Sequence, residues 1–189
     1  MSKDTLRKIP LEQFMDLKLD CTFKQLFGSE ENEKFTIAFL NAMLQKAGRD
    51  QVQEIILINQ KKERPSHLNF VVEAARNQLL NIEIQLSNER ESAEGMLYHW
   101  SRLFIDQMQF GQMKYPFFPA IMIYIDNAPP AQTEHYHSTY HLHEVKTRQR
   151  IEPEYDMLEI HSIEMAKFLQ DWHAGTVALS EDVLARWLL

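Results

Sequence analysis

The sequence is short of cysteine, glycine and long apolar runs, and each shortage excludes a class of protein. One of its 189 residues is cysteine, Cys21, so no disulfide can close within the chain. That excludes a disulfide-stapled scaffold and makes a reducing, cytoplasmic setting the simple expectation. The five glycines do not gather into a phosphate-cradling loop. No apolar run reaches the ~18 residues of a membrane-spanning helix, so no membrane partner is expected. Met1 to Lys8 lacks the apolar core of a secretory leader. Positive charge is also in deficit: 20 Lys and Arg against 27 Asp and Glu leave a net charge of −7. Sequence-blind nucleic-acid binding draws its affinity from neutralised phosphates. Any nucleic-acid role here must therefore rest on a local basic patch or a bound cation.

What is present reads as one domain over residues 1–189, since 44% of the residues are hydrophobic and the length suits a single core. Phe23, Leu26 and Phe27 have helical spacing before Gly28, which reads as a C′ glycine. Ser29 followed by Glu30 and Glu31 reads as a helix start. Phe35, Ala38, Phe39, Ala42 and Met43 continue it as one apolar stripe ending near Gly48. Residues 54–59 read as a buried strand, 60–67 as a basic loop, and 68–74 and 79–86 as strands joined near Ala75-Arg76-Asn77. The period then lengthens over residues 91–110 into an amphipathic helix ended by Gly111. Residues 120–125 form a continuous apolar run, the pattern of a strand buried on both faces. Residues 135–144 and 157–163 read as strands, and Met165 to Trp172 as a helix. Ser180-Glu181-Asp182 caps a last helix whose stripe, Val183, Leu184, Trp187 and Leu188, stays open. That open stripe suggests a homodimer contact, or a helix truncated within 180–189. The order α, α, β, β, β, α, β, β, β, α, α is that of an α/β protein with a mixed central sheet flanked by helices.

One stretch is odd on folding grounds. In Asn81-Ile82-Glu83-Ile84-Gln85, Ile82 and Ile84 share one strand face while Asn81, Glu83 and Gln85 share the other. A carboxylate and two amides thus line the middle of a core-quality strand. Asn69, on the preceding strand, faces Glu83 if the turn has three residues, 75–77. A two-residue turn would set it opposite Ile84 instead. From patterning alone the polar face is either a site or a solvated surface, and Asp20 is either a site acid or a helix N-cap.

Five segments carry a family resemblance. They are Asp20-Cys21-Thr22-Phe23-Lys24-Gln25-Leu26-Phe27-Gly28, Phe39-Leu40-Asn41-Ala42-Met43-Leu44, Asn81-Ile82-Glu83-Ile84-Gln85-Leu86, Leu97-Tyr98-His99-Trp100-Ser101-Arg102-Leu103-Phe104 and, most weakly, Leu158-Glu159-Ile160-His161-Ser162-Ile163-Glu164. In this order, from about Asp16 onward, the chain resembles the recombination-promoting nucleases of the Rpn family. These are also described as transposases, within the PD-(D/E)XK nuclease superfamily. The resemblance implies a restriction-endonuclease-like core and metal-dependent hydrolysis of DNA phosphodiesters. It implies Asp20, Glu83 and the Asp position, here Asn69, as ligands of Mg²⁺ or Mn²⁺. Gln85 is the polar partner that orients water or phosphate.

Two positions depart from the family pattern. Asn69 keeps an oxygen donor but lacks the charge of Asp, which implies weak cation binding and impaired cleavage. Gly95 stands where the family commonly has an Arg, which removes one phosphate contact; Arg102 remains on the same helix. The alternative reading is a catalytically inactive nuclease fold that pairs with a related nuclease or regulates a partner.

Other features have plainer readings. His135, His137, His141 and His143 would share one strand face, but same-face neighbours spread by about 7 Å, so a polar face over a Tyr136, Tyr140 and Leu142 core is expected rather than a zinc site. Lys61-Lys62-Glu63-Arg64 reads as a solvated loop or a backbone contact beside Asn69. Trp100, Phe104 and Phe110 are spaced as core.

Overall fold

Runs of period two become a six-stranded sheet, and runs of three-to-four spacing become the helices on its faces. A computed structural model describes residues 20–44, 51–57, 67–74, 78–107, 117–129, 134–150 and 157–189. In chain order the elements are α1 (Asp20–Phe27), a 3₁₀ turn (Glu30–Asn32), α2 (Glu33–Leu44), β1 (Val52–Leu57), β2 (His67–Ala74), β3 (Gln78–Ser87), α3 (Ala93–Asp106), β4 (Ala120–Asp126), β5 (His137–His141), β6 (Leu158–Glu164), α4 (Met165–Ala174) and α5 (Ala185–Leu188). The sheet order is β1-β2-β3-β4-β6-β5. Strands β3, β4 and β6 run parallel, and the outer pairings are antiparallel. This is the α/β, restriction-endonuclease-like arrangement expected from the sequence: a mixed sheet with helices on both faces. No helix among the described residues is long and apolar enough to cross a membrane.

Each face of the sheet has its own core. Phe70 and Val72 of β2, Ile82 and Ile84 of β3, and Ile121, Ile123 and Ile125 of β4 pack with α1, α2, α4 and α5. On the opposite face Ala120, Met122 and Tyr124 of β4 meet Leu158 and Ile160 of β6 under Met96, Trp100, Leu103 and Phe104 of α3. β4 is buried along its whole length because helices cover both faces.

The helices are fastened by side chains. The last turn of α1 is satisfied from the next helix: Thr36 Oγ1 donates to Phe27 O at 3.1 Å, and Asn32 Nδ2 to Gln25 O at 2.9 Å. Gly28 follows α1 without a left-handed φ; among the described glycines Gly175 is the left-handed cap, at φ 78° after α4. Asn41 clamps β1 to α2, accepting from Val52 N at 2.7 Å and donating to Val52 O at 3.1 Å. Ser92 caps α3 by accepting from Gly95 N at 3.0 Å.

Two expectations are corrected. β1 is an edge strand, with Gln53 and Glu54 exposed and Ile56 67% exposed; an apolar run alone does not distinguish an edge from a centre. Within β5 itself His137 and His141 are turned toward the core and Tyr140 and the following Leu142 are exposed, whereas Tyr136 is buried and His135 and His143 are exposed as expected. Of the C-terminal stripe, Val183 is exposed. Leu184 and Leu188 are buried, and the Trp187 ring lies 6.4, 6.5 and 6.2 Å from those of Phe27, Phe35 and Phe39. The helix there covers Ala185–Leu188, and its cap is Asp182, whose Oδ1 accepts from Ala185 N at 3.1 Å. The expected features at Asp16, Gly48, residues 58–66 with Lys61 to Arg64, the turn 75–77, Phe110 and Gly111 lie outside the described residues.

Candidate nuclease site

Ala74 pairs with Gln78, so three residues, 75–77, separate the two strands, and the register sets Asn69 directly opposite Glu83. Cross-strand neighbours share a face, so Asn69, Glu83 and Gln85 stand together on the α3 side of the sheet. On the next strand Met122 pairs with Glu83 and Tyr124 with Gln85. Asn69, Glu83 and Gln85 are each partly buried.

Three amide oxygens on this face, Asn69 Oδ1, Asn81 Oδ1 and Gln85 Oε1, are buried and have no hydrogen-bond partner among the described residues. A buried acceptor without a donor costs about 1–3 kcal/mol, so such oxygens beside a carboxylate can receive a donor or a cation. Asn81, first in the polar row, has a second part. It is 5% exposed and its Nδ2 donates to Leu103 O at 3.3 Å, tying β3 to α3. Trp100 adds a second tie, Nε1 to Ala120 O at 2.8 Å.

The first turns of α3 bring polar groups that the sequence did not flag. Glu91 folds back over the helix start, its Oε1 accepting from Ser92 N at 3.1 Å and its Oε2 lying 3.7 Å from His99 Nε2. Gly95 makes room for it: a Cβ there would come within 1.9 Å of Glu91 Oε1. Tyr124 donates its hydroxyl to Met96 O at 3.4 Å. Burial pushes the phenol well above its ordinary range, and the charges of Glu91 and Glu83 push it further. Arg102, exposed on α3, hydrogen-bonds the Tyr98 hydroxyl at 3.4 Å. Tyr98 holds its guanidinium above the usual value, with smaller effects from Asp106 and Glu83. A signal for Glu91 did exist, since an acid four residues before a glycine at a helix start can fold into the space a side chain would fill. Tyr124 needed the register.

Asp20 is the first residue of α1, and its side chain lies outside the described residues. Phe23 and Phe27 of that helix pack on the sheet face opposite Asn69 and Glu83. The structure thus brings Asn69, Glu83 and Gln85 together on one face of the sheet. Asn69, Glu83 and Gln85 present oxygen donors, which suit a hard cation such as Mg²⁺ or Mn²⁺. Among the described residues no group of three or more His, Cys, Asp or Glu gathers to hold a metal. Glu83 supplies a carboxylate to this face, and Asn69 and Gln85 supply amide oxygens.

A separate polar cluster closes the carboxyl ends of β4 and β6. Arg90 Nη2 donates to Glu164 Oε2 at 2.9 Å and to Pro129 O at 2.8 Å. Burial raises the Asp126 carboxyl above its ordinary range, opposed by the hydrogen bond it accepts from Ala128 N at 3.1 Å and by Arg90.

A family model described as PD-(D/E)XK nuclease family transposase matches residues 17–189. No curated protein and no solved structure matches the chain.

Proposed function

The chain belongs to the PD-(D/E)XK nuclease family of transposases, and from that premise we propose that it is a metal-dependent DNA endonuclease impaired at Asn69. The observation that carries this reading is the directly opposed pair Asn69 and Glu83, with the buried, unpartnered oxygens of Asn69 and Gln85 on the same face. Glu83, Asn69 and Asp20 would hold Mg²⁺ or Mn²⁺. When bound, such an ion supplies an activated water and offsets charge developing on the phosphate. Gln85 would turn its amide toward water or phosphate without adding charge. Asn69 contributes an oxygen dipole where a carboxylate would contribute a full charge, so the cation is held weakly and cleavage is slow. DNA is the substrate, and the cytoplasm the site of action.

Supercoiled plasmid incubated with Mg²⁺ or Mn²⁺ tests this reading. Asn69→Asp should nick faster than the native sequence, and adding Glu83→Gln to that variant should abolish the gain. Equal rates for all three would sink the assignment.

A second reading, an inactive nuclease fold that binds or regulates a partner such as an active relative, is favoured by the amide of Asn69 directly opposite Glu83 and by the net charge of −7. It predicts a stable protein complex and no DNA retention at low salt. Calorimetric binding of Mn²⁺ that disappears in Glu83→Gln would count against it.

A further inference from the structure

The edge strand β5 is held to the sheet by a chain of titratable groups that the nuclease reading does not use. Its ladder partner is β6, with Thr139 opposite His161 and His141 opposite Glu159. His161 and Glu159 are both 0% exposed. Glu159 Oε1 lies 2.7 Å from His161 Nε2. His161 Nδ1 lies 2.9 Å from His137 Nε2 and 3.5 Å from Thr139 Oγ1. The two imidazoles stack at 5.2 Å with 10° between their planes. His141 Nδ1 stands 3.9 Å from the other carboxylate oxygen of Glu159. Side-chain linkage between β5 and β6 therefore runs through three imidazoles around one buried carboxylate.

Donor counting limits the charge this chain can carry. With Glu159 ionised, His161 Nε2 donates to it. The link to His137 then works in two ways: a neutral His161 accepts at Nδ1 from His137, or a cationic His161 donates to a neutral His137. Both ways need one bare nitrogen between the rings. When both rings are protonated, two N–H groups confront each other across 2.9 Å, and one carboxylate faces two cations in a buried setting.

Apolar and charged groups from the neighbouring elements face this chain. β4 presents Ile121 and Ile123 opposite Glu159 and His161. From α4, Lys167 and Asp171 pair with each other. These two, with Glu134, His135, Tyr136, His137, Thr139 and Asp182, line a cavity of about 610 Å³ beside the strand. Asp182 accepts from Tyr136 Oη at 2.6 Å.

We propose that Glu159, His161 and His137 form a pH-sensitive latch that holds β5 on the sheet along this open cavity, and that acidification releases it. A row of imidazoles is the side-chain chemistry that changes charge between about pH 5 and 8. The latch stands whether or not the protein cuts DNA.

Hydrogen exchange of the native chain, corrected for the intrinsic pH dependence of exchange, tests it from about pH 8 to pH 5. Opening that takes up one proton becomes about tenfold more favourable per pH unit. Peptides covering 137–141 should therefore speed up by up to that factor per unit below the transition, while those covering β3 hold steady. His137→Gln should remove the transition, because the Gln amide can donate to Nδ1 of a neutral His161 or accept from it when it is protonated. A constant ratio of β5 to β3 exchange across the range overturns the latch, as does an unchanged transition in His137→Gln.

Discussion

Replacing Asn69 by Asp sets a second carboxylate directly opposite Glu83. Opposed residues of an antiparallel pair hold their Cβ atoms about 4.5–5.5 Å apart. Two charges at roughly 5 Å, in the effective dielectric of about 20 found near a protein surface, repel by about 3 kcal/mol. Both positions are partly solvated, and one carboxyl can take up a proton, so the metal-free variant should lose about 1–3 kcal/mol. For a chain of this length each kcal/mol moves the melting temperature by about 2–4 °C. Asn69→Asp in EDTA should therefore melt roughly 2–12 °C below the native protein. A divalent ion that binds between the two charges reverses the sign of the effect. At about 100 times its Kd it returns ~2.7 kcal/mol, and the native sequence should gain less. The assay is a pair of thermal melts in EDTA and in Mn²⁺, with NaCl matched for ionic strength. A variant that melts with the native protein in EDTA would show that the two side chains do not face each other. A loss that Mn²⁺ does not recover beyond the NaCl control would show that they do not share a cation.

Gly95→Arg forces the Glu91 carboxylate off its place 1.9 Å from the new Cβ. DNA affinity at low salt should rise and the salt dependence should steepen by about one phosphate's worth, measured by fluorescence anisotropy; an unchanged slope would mean that this helix end does not face DNA. Trp187→Ala removes the ring packed on Phe27, Phe35 and Phe39 and should cost about 2–4 kcal/mol in urea melts, somewhat below a fully buried Trp. Asp126 is raised by burial, so the folded state holds its proton more tightly than the unfolded chain does. Its ionised form therefore destabilises the fold above the folded pKa, and the penalty fades as pH falls through the folded pKa and is gone below the unfolded value. Asp126→Asn should melt higher than the native protein near neutral pH, with the gap closing through the carboxylate range. A gap that widens on acidification would contradict this.

The order of elements was legible because it rests on local periodicity. The stripe of Met96, Trp100, Leu103 and Phe104 became the face of α3, and the unbroken run at 120–125 became the doubly covered β4. What depends on strands meeting across the chain was not legible. Ile55-Ile56-Leu57 has the composition of a central strand, yet its neighbour lies on one side alone. The His137 row read as a solvated face because Glu159 and His161, which bury it, come some 20 residues later. The Asn69 and Glu83 pairing stood between these cases, hanging on whether the turn held two or three residues. Gln85 was legible from strand alternation, whereas Tyr124 and Glu91 became neighbours of the site through register and a helix turn.

The contact of Trp187 with Phe27 and Phe39 also bears on how the protein is made. These residues are roughly 150 positions apart, a separation that slows folding because a long loop must close before the contact stabilises anything. During synthesis the aromatic face of α1 and α2 leaves the ribosome early and waits, uncovered, for residues 184–188. A nascent chain with so late a closure is exposed to aggregation. Pausing translation before residue 184 should increase chaperone capture of the N-terminal helices, and Trp187→Ala should prolong that capture in the finished chain.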